Sequence, residues 1–309
     1  MRAIILGAAA GGGFPQWNSA GPGCRRARSG DRAAPARTQC SVAVSADGRR
    51  WVLLNASPDL RAQIEATPAL HPDPPPGALR HSPIAAVVLT GAEIDTIAGL
   101  LTLRERQGFG LYGAAPALAV LAANPVFNAL DPALVPRRAL PLGRAEALCD
   151  GEGAPLGLRV EAFAVPGKVP LFQERDGEDP GRAEVGETIG LALSAGGATL
   201  FFIPGCAALT PALAARLEGA ACVLFDGTLW RDDEMIRAGV GSKTGQRMGH
   251  MSIDGPEGVL AGFARLGVRR RILIHLNNTN PALLADSPER AVAEAAGWEV
   301  AEDGMEIAL

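Results

Sequence analysis

Residues 84–89, IAAVVL, are apolar at every position. A strand with that pattern has no face to offer to water, so it belongs inside a sheet covered on both sides. A helix-periodic stretch follows over 94–106. The polar connection between the two, TGAEIDT, falls at the carboxyl end of a strand, where α/β proteins place their chemistry. Similar apolar runs, read as strands, occupy 2–6, 158–165, 189–194, 199–203, 222–225 and 271–274, with short terminal strands at 298–300 and 306–308. The runs 40–45 and 51–55 flank Ala46-Asp47-Gly48, a hairpin turn signal. Helices are predicted from Ser57 as N-cap, with Pro58 in the first position, to about residue 66, and over 115–123, 253–266 and 281–296. Strands come first and then interleave with helices, and no linker divides the chain. This order predicts one α/β domain over residues 1–309, with helices packed outside two central sheets.

Composition narrows the function. The 309 residues are 48% hydrophobic with a formal net charge of −4, which suits a folded globular protein and gives no electrostatic case for a nucleic-acid partner. Five cysteines, odd in number and isolated from one another, fit a reducing cytoplasm rather than a disulfide framework. No run approaches the about 18 apolar residues of a membrane span. Residues 1–10 carry one charge before a short apolar run that ends in Gly11-Gly12-Gly13, which reads as a first strand and its loop rather than an export signal. Those glycines do not keep dinucleotide spacing, and Phe14-Pro15 behind them cannot open a helix in register. A wide loop that approaches something closely, displaying Trp17 and Asn18 at its tip, is expected instead. Residues 67–83 form a proline-rich surface connection in which His71 and His81 are solvated, and 173–187 reads as a polar loop or insertion.

Four strand ends collect the polar residues. They are 90–96, Pro204-Gly205-Cys206, Asp226-Gly227-Thr228, and His275 with the Asn-rich run LNNTN behind it; Gly249-His250-Met251 closes a loop rich in Gly, Lys and Arg. This spacing resembles the metallo-β-lactamase superfamily. The segments LGAAAGGGFPQWN, AAVVLTGAEIDTIAGLLTLRERQ, LFDGTLWRDDEMIRAGVGSKTGQRMGHM and IHLNNTNP, in order along the whole chain, are similar to the PqqB family of pyrroloquinoline quinone (PQQ) biosynthesis proteins. The resemblance implies an α/β fold of the metallo-β-lactamase-like αββα four-layer sandwich type. It also implies one of two roles: an iron-dependent, oxygen-using hydroxylase of the tyrosine ring in a cross-linked Glu–Tyr precursor, or a carrier moving the cofactor or its precursor towards the periplasm. Implied partners are the small peptide-derived precursor, other PQQ biosynthesis proteins and a second copy in a homodimer.

The superfamily's H-x-H-x-D-H metal motif falls on Gly91, Glu93, Asp95 and Thr96, which keeps Asp95 and substitutes the acidic Glu93 for one histidine. The family's C-x-C-x-x-C cluster falls on Ser19, Gly21 and Cys24. One thiol cannot hold a tetrahedral zinc, so no structural zinc is expected. The resemblance leaves Asp95, His275, Glu93, His250 and Cys206 as metal candidates. Two imidazoles and a carboxylate are the minimum for an Fe(II) facial triad, with zinc as the metal a preparation can carry on isolation. They fall short of the about five histidines of a dinuclear zinc hydrolase, the third reading. His275 is read as a ligand, and His250 as a ligand or the general acid/base. Asp95 is a ligand or an N-cap. Asp226 either touches metal or orients a histidine, and Cys206 is either a buried thiol or a thiolate ligand. Lys168, Arg231, Lys243 and Arg247 either bind substrate carboxylates or are ordinary surface charge. Asn277 is expected at the substrate, and Trp17 and Trp230 either stack on its ring or pack in the core.

Overall fold

The structure, a computed structural model, describes residues 1–168, 172 and 186–309; most of the predicted polar loop, 173–185, lies outside the described residues. Strands β1 (Arg2–Gly7), β2 (Ser41–Ser45), β3 (Trp51–Leu54), β4 (Ile84–Val88), β5 (Gly110–Gly113) and β6 (Arg137–Ala139) build one sheet. A second contains β7 (Ala145–Cys149), β8 (Pro155–Ala164), β9 (Ile189–Ala195), β10 (Ala198–Ile203), β11 (Cys222–Asp226), β12 (Arg270–Ile274) and β13 (Trp298–Val300). The last strand, β14 (Glu306–Ala308), returns to pair with β1, giving orders β14-β1-β2-β3-β4-β5-β6 and β13-β12-β11-β10-β9-β8-β7.

Side-chain alternation assigns each strand residue to a layer. In β4, Ala86 and Val88 face the second sheet while Val87 faces outward; in β11, Cys222 and Leu224 face inward and Val223 and Phe225 outward. This is why the apolar run at 84–89 has no polar face. The outer layer on the first sheet includes α2 (Leu60–Ala66) and α4 (Ala115–Ala123), through Leu60 and Leu121. The second sheet is covered by α5 (Pro211–Leu217), α7 (Val259–Phe263) and α8 (Pro288–Ala295), through Leu217, Phe263 and Ala293. The result is the expected αββα four-layer sandwich. Each fully buried Val, Leu, Ile or Phe of these layers contributes roughly 1.5–3 kcal/mol.

Helix α4 spans the predicted 115–123, whereas three others are shorter than their periodicity predicts, because backbone groups are claimed by other partners. The helix expected over 94–106 is one α turn, α3 (Ile94–Ile97), followed by a 3-10 segment, Ala98–Leu103. Gly99 N–H donates to Ala56 O, and Ala56 N–H to Thr96 O, so the i→i−4 ladder is diverted into the neighbouring segment. The helix expected over 253–266 shrinks to α7, since Ile253 and Asp254 donate to Leu229 O and Trp230 O in an extended pairing. That expected over 281–296 splits into a 3-10 turn, Pro281–Leu283, and α8, capped separately by Asn280 and Ser287. Helix α2 begins after Pro58, with Asp59 at its N-cap; the Ser57 hydroxyl donates to Gln63 Oε1. The remaining helices are α1 (Pro22–Arg28) and α6 (Glu234–Arg237). Among the described residues no helix is long and apolar enough to cross a membrane.

Candidate metal centre

Strands β10, β11 and β12 run parallel, so their carboxyl ends open on one edge of the second sheet. Asp226, the last residue of β11, pairs with Ile274, the last of β12, which sends Gly227-Thr228 and His275 out of the sheet side by side. His275 takes a left-handed φ of +64°, interrupting strand geometry immediately after Ile274. His250 arrives from the loop after α6, where Gly249 turns the chain with φ +83°. The two imidazoles stack with centroids 5.4 Å apart. Asp226 is fully buried and accepts from Cys206 N–H at 2.8 Å and Thr228 N–H at 3.0 Å, with His250 Nδ1 2.8 Å from its Oδ2. Among the described residues, Asp226, His250 and His275 form a cluster whose donor atoms lie within 4.8 Å of one another.

The first sheet's side supplies Asp95, in the first turn of α3 beyond the loop after β4, whose Oδ2 lies 3.0 Å from His275 Nε2. That loop is anchored by Asn55, whose Oδ1 accepts from Thr90 N–H at 2.9 Å. The glycine loop after β1 closes the other side: a Cβ on Gly11 would stand 3.4 Å from Asp95 Oδ2. On the opposite wall a Cβ on Gly205 would stand 3.4 Å from His250 Cε1. The close approach foreseen for the glycine loop is therefore to the centre itself. Burial would raise the Asp95 carboxyl, but the hydrogen bond with His275 and the charges of both imidazoles hold it below its ordinary value. Burial would lower His275, and Asp95, with Asp226 and Glu93 behind it, raises it. Two imidazoles and two carboxylates converging beside close-packed glycines fit a divalent metal with mixed nitrogen and oxygen ligands.

A cavity of about 780 Å³ opens over the centre, and its wall includes Glu93, Lys168, Lys243 and Asn277. Glu93 and Lys168 form an ion pair at 3.0 Å. Arg231 and Arg247 are exposed and lie outside that wall, as does Trp17, which is 85% exposed at its loop tip. Trp230 is buried in the outer layer. Cys206 lies in the same layer, its Sγ donating to Ala208 O at 3.2 Å; burial, with the Asp226 charge, pushes its thiol up to about 12. Ser19, Gly21 and Cys24 sit in and beside α1, where Cys24 Sγ meets Asn278 Oδ1 at 3.7 Å. The loop ahead of α1 is tied by Arg28, which donates to the carbonyls of Gln16, Trp17 and Ser19. Residue types and spacing gave no role to Thr228, which touches Asp226 and both histidines, nor to Gln16 and Cys40 in the cavity wall. Thr228 was signalled by its place two residues beyond Asp226. Gln16 and Cys40 carry no such signal.

Glu234 was also illegible in sequence. It accepts from Trp230 N–H at 2.6 Å and from the Thr279 hydroxyl at 2.5 Å, joining α6 to the loop behind His275. Burial raises its carboxyl from 4.5 to about 7, against the opposing hydrogen bonds from Thr279 and Trp230. The folded chain therefore keeps a proton that the unfolded chain releases, so this group's stabilisation is complete below pH 4.5 and fades as pH rises through 7. Glu234→Gln is expected to flatten that part of the pH–stability curve, read from urea unfolding at about pH 5 and pH 7.5. Equal slopes in variant and parent would refute the assignment.

The profile of the beta-lactamase superfamily domain matches residues 50–276. The chain is 62% identical over 305 residues to the coenzyme PQQ synthesis protein B of Gluconacetobacter diazotrophicus, covering 98% of each. It is 56% identical to that of Xanthomonas campestris pv. campestris over the full length of both. Among solved structures, Zn²⁺-bound PqqB from Methylobacterium extorquens superposes with a TM-score of 0.94 at 50% identity, over all of both chains. A diphosphatase of the PhnP family shares the fold, with a TM-score of 0.68 at 18% identity over 100% of this chain and 97% of that one. The chain thus belongs to the coenzyme PQQ synthesis protein B family, within the beta-lactamase superfamily.

Proposed function

We propose that this protein acts in PQQ biosynthesis as a metal-dependent, oxygen-using hydroxylase of the tyrosine ring of the cross-linked Glu–Tyr precursor, with Fe(II) as the working metal. The names of its relatives support the pathway. The observation that carries the chemistry is the convergence of His250, His275 and Asp95 in the wall of one cavity, with Asp226 buried behind His250. His250 and His275 with Asp95 would hold the metal, with Asp226 orienting His250 from behind, a set that suits a single ion with open positions better than a dinuclear hydrolase centre. When bound, the metal supplies oxygen activation. The overall change places one atom of O₂ in an aromatic C–H bond and reduces the other to water with two electrons and two protons from an external reductant.

The chain's own residues bind and orient. Lys168 and Lys243 stand in the cavity wall where the precursor's carboxylates can meet them, and Asn277 offers a neutral amide beside His275. Asp226, buried and facing His250 Nδ1, fixes the orientation of that ring and can take part in proton movement through it.

Anaerobic loading with Fe(II) should give about one iron per chain, as the single-site reading requires. Addition of the precursor, O₂ and ascorbate should then yield a product heavier by one oxygen atom. Binding of the precursor without oxygen consumption, with iron or with zinc, would overturn the hydroxylase and favour the carrier reading.

A further inference from the structure

We propose that the hydroxyl of Thr228 is a positioning group that keeps a hydrogen on Nδ1 of both site histidines, so that Nε2 is the nitrogen each turns to a metal. The inference follows from counting protons in a small buried network. Asp226, as a carboxylate, only accepts. Thr228 Oγ1 lies 2.7 Å from Asp226 Oδ1, 3.0 Å from His250 Nδ1 and 2.9 Å from His275 Nδ1. The hydroxyl has one proton to give, and Asp226 Oδ1 is the neighbour that can do nothing but accept it. Towards both imidazoles Thr228 then acts as an acceptor, so His275 Nδ1 must carry a hydrogen. His250 Nδ1 faces two acceptors, Thr228 Oγ1 and Asp226 Oδ2 at 2.8 Å, and must carry one as well.

The network's remaining bonds hold Thr228 in place. Its N–H donates to Asp226 Oδ1 at 3.0 Å, and its carbonyl accepts from Asn277 N–H at 3.0 Å and Asn280 Nδ2 at 3.3 Å. The side chain is 5% exposed as a residue, so water does not compete for the hydroxyl. His275 Nε2 lies 3.0 Å from Asp95 Oδ2, a second group that only accepts, so in the metal-free protein that nitrogen carries a hydrogen too, whose place a cation between the two would take. One hydroxyl therefore aligns two ligands from different segments, and it does so before any metal arrives.

The proposal rests on the metal-centre reading of the site and not on the hydroxylase chemistry. The test uses full-length protein labelled with ¹⁵N-histidine, metal-free at alkaline pH and then loaded with Zn²⁺. Both site histidines of the parent should show a proton on Nδ1, and in the Zn²⁺-loaded protein on Nδ1 alone. Thr228→Val, which keeps the shape and removes the hydroxyl, should lose the Nδ1–H signal of His275 and bind Zn²⁺ about 10–100-fold more weakly in chelator competition. Thr228→Ser should restore both readouts. A His250 or His275 that lacks the proton on Nδ1 in the Zn²⁺-loaded parent would overturn the proposal whether or not the variants fold. So would a folded Thr228→Val protein that keeps both signals and binds Zn²⁺ within about twofold of the parent, since loss of a supporting partner normally costs 10–100-fold. Correct tautomers in a parent that binds no Zn²⁺ would support the positioning role and count against the metal centre; bound Zn²⁺ with wrong tautomers would do the reverse.

Discussion

His275→Asn is expected to abolish tight metal binding while leaving the fold in place. His275 joins the two halves of the centre: Nδ1 meets Thr228 on the second sheet's side, and Nε2 meets Asp95 from the first sheet. Asparagine is the informative substitution because residue 275 has a φ of +64°, a region that asparagine tolerates and alanine resists by roughly 1–2 kcal/mol. An alanine variant would mix backbone strain with ligand loss. Removing partners that merely support a ligand costs about 10–100-fold in metal affinity, so removing the ligand should cost at least about 100-fold. Chelator competition with Zn²⁺ and with Fe(II), beside urea unfolding of the metal-free protein, checks both halves of the expectation. Parent-like Zn²⁺ affinity in a folded His275→Asn protein would show that the metal binds elsewhere.

Gly99→Ala should be among the most destabilising single methyl additions in the chain, and it should weaken metal binding without touching a ligand. A Cβ there would lie 2.0 Å from Ser57 O and 2.8 Å from Ala56 O, and both are backbone atoms that cannot swing aside. The close approach exists because Gly99 N–H donates to Ala56 O at 2.8 Å and Ala56 N–H to Thr96 O at 2.8 Å. These bonds clamp the segment that carries Asp95 against the end of β3. Overpacking a rigid contact of this kind costs about 3 kcal/mol or more. Relief requires moving residues 94–99, which pulls Asp95 away from His275. A lowered urea midpoint with an unchanged slope, together with reduced Zn²⁺ affinity, is the expected result. A loss below about 1 kcal/mol would mean that the segment shifts freely and that the clamp is not structural.

The strands with a continuous apolar run were legible because that signal is local, whereas β5, β6 and β7, which are short and lack such a run, were not foreseen. An apolar run such as 84–89 reports burial on both faces wherever it lies in the chain, and β4, β11, β12 and the two terminal strands fall within a residue or two of their expected bounds. Helix α4 keeps its expected 115–123, but the helices expected over 94–106, 253–266 and 281–296 do not, because periodicity marks which face is apolar and says nothing about which backbone groups are bound elsewhere. At Gly99, Ile253 and Asp254 those groups bond to distant segments, and the helical ladder stops.

The site divides in the same way. Residue type and placement at strand ends marked Asp95, Asp226 and His275 as candidates, and the end of a Gly-, Lys- and Arg-rich loop marked His250; parallel strands such as β11 and β12 deliver their carboxyl ends to one edge. Pairing among them was beyond reach. Whether Asp226 or Asp95 stands with both imidazoles depends on the β11–β12 register, on the left-handed turn at His275 and on how closely the two sheets approach at Gly11. The apolar run at 84–89 required a covered sheet, and four histidines, two of them in the proline-rich connection 67–83, argued against a histidine-rich centre. The tertiary fold decided which side chains share a proton or an ion, because contacts such as that between Asp95 and His275 join residues 180 positions apart, and ångström-scale distances between remote segments are set by packing.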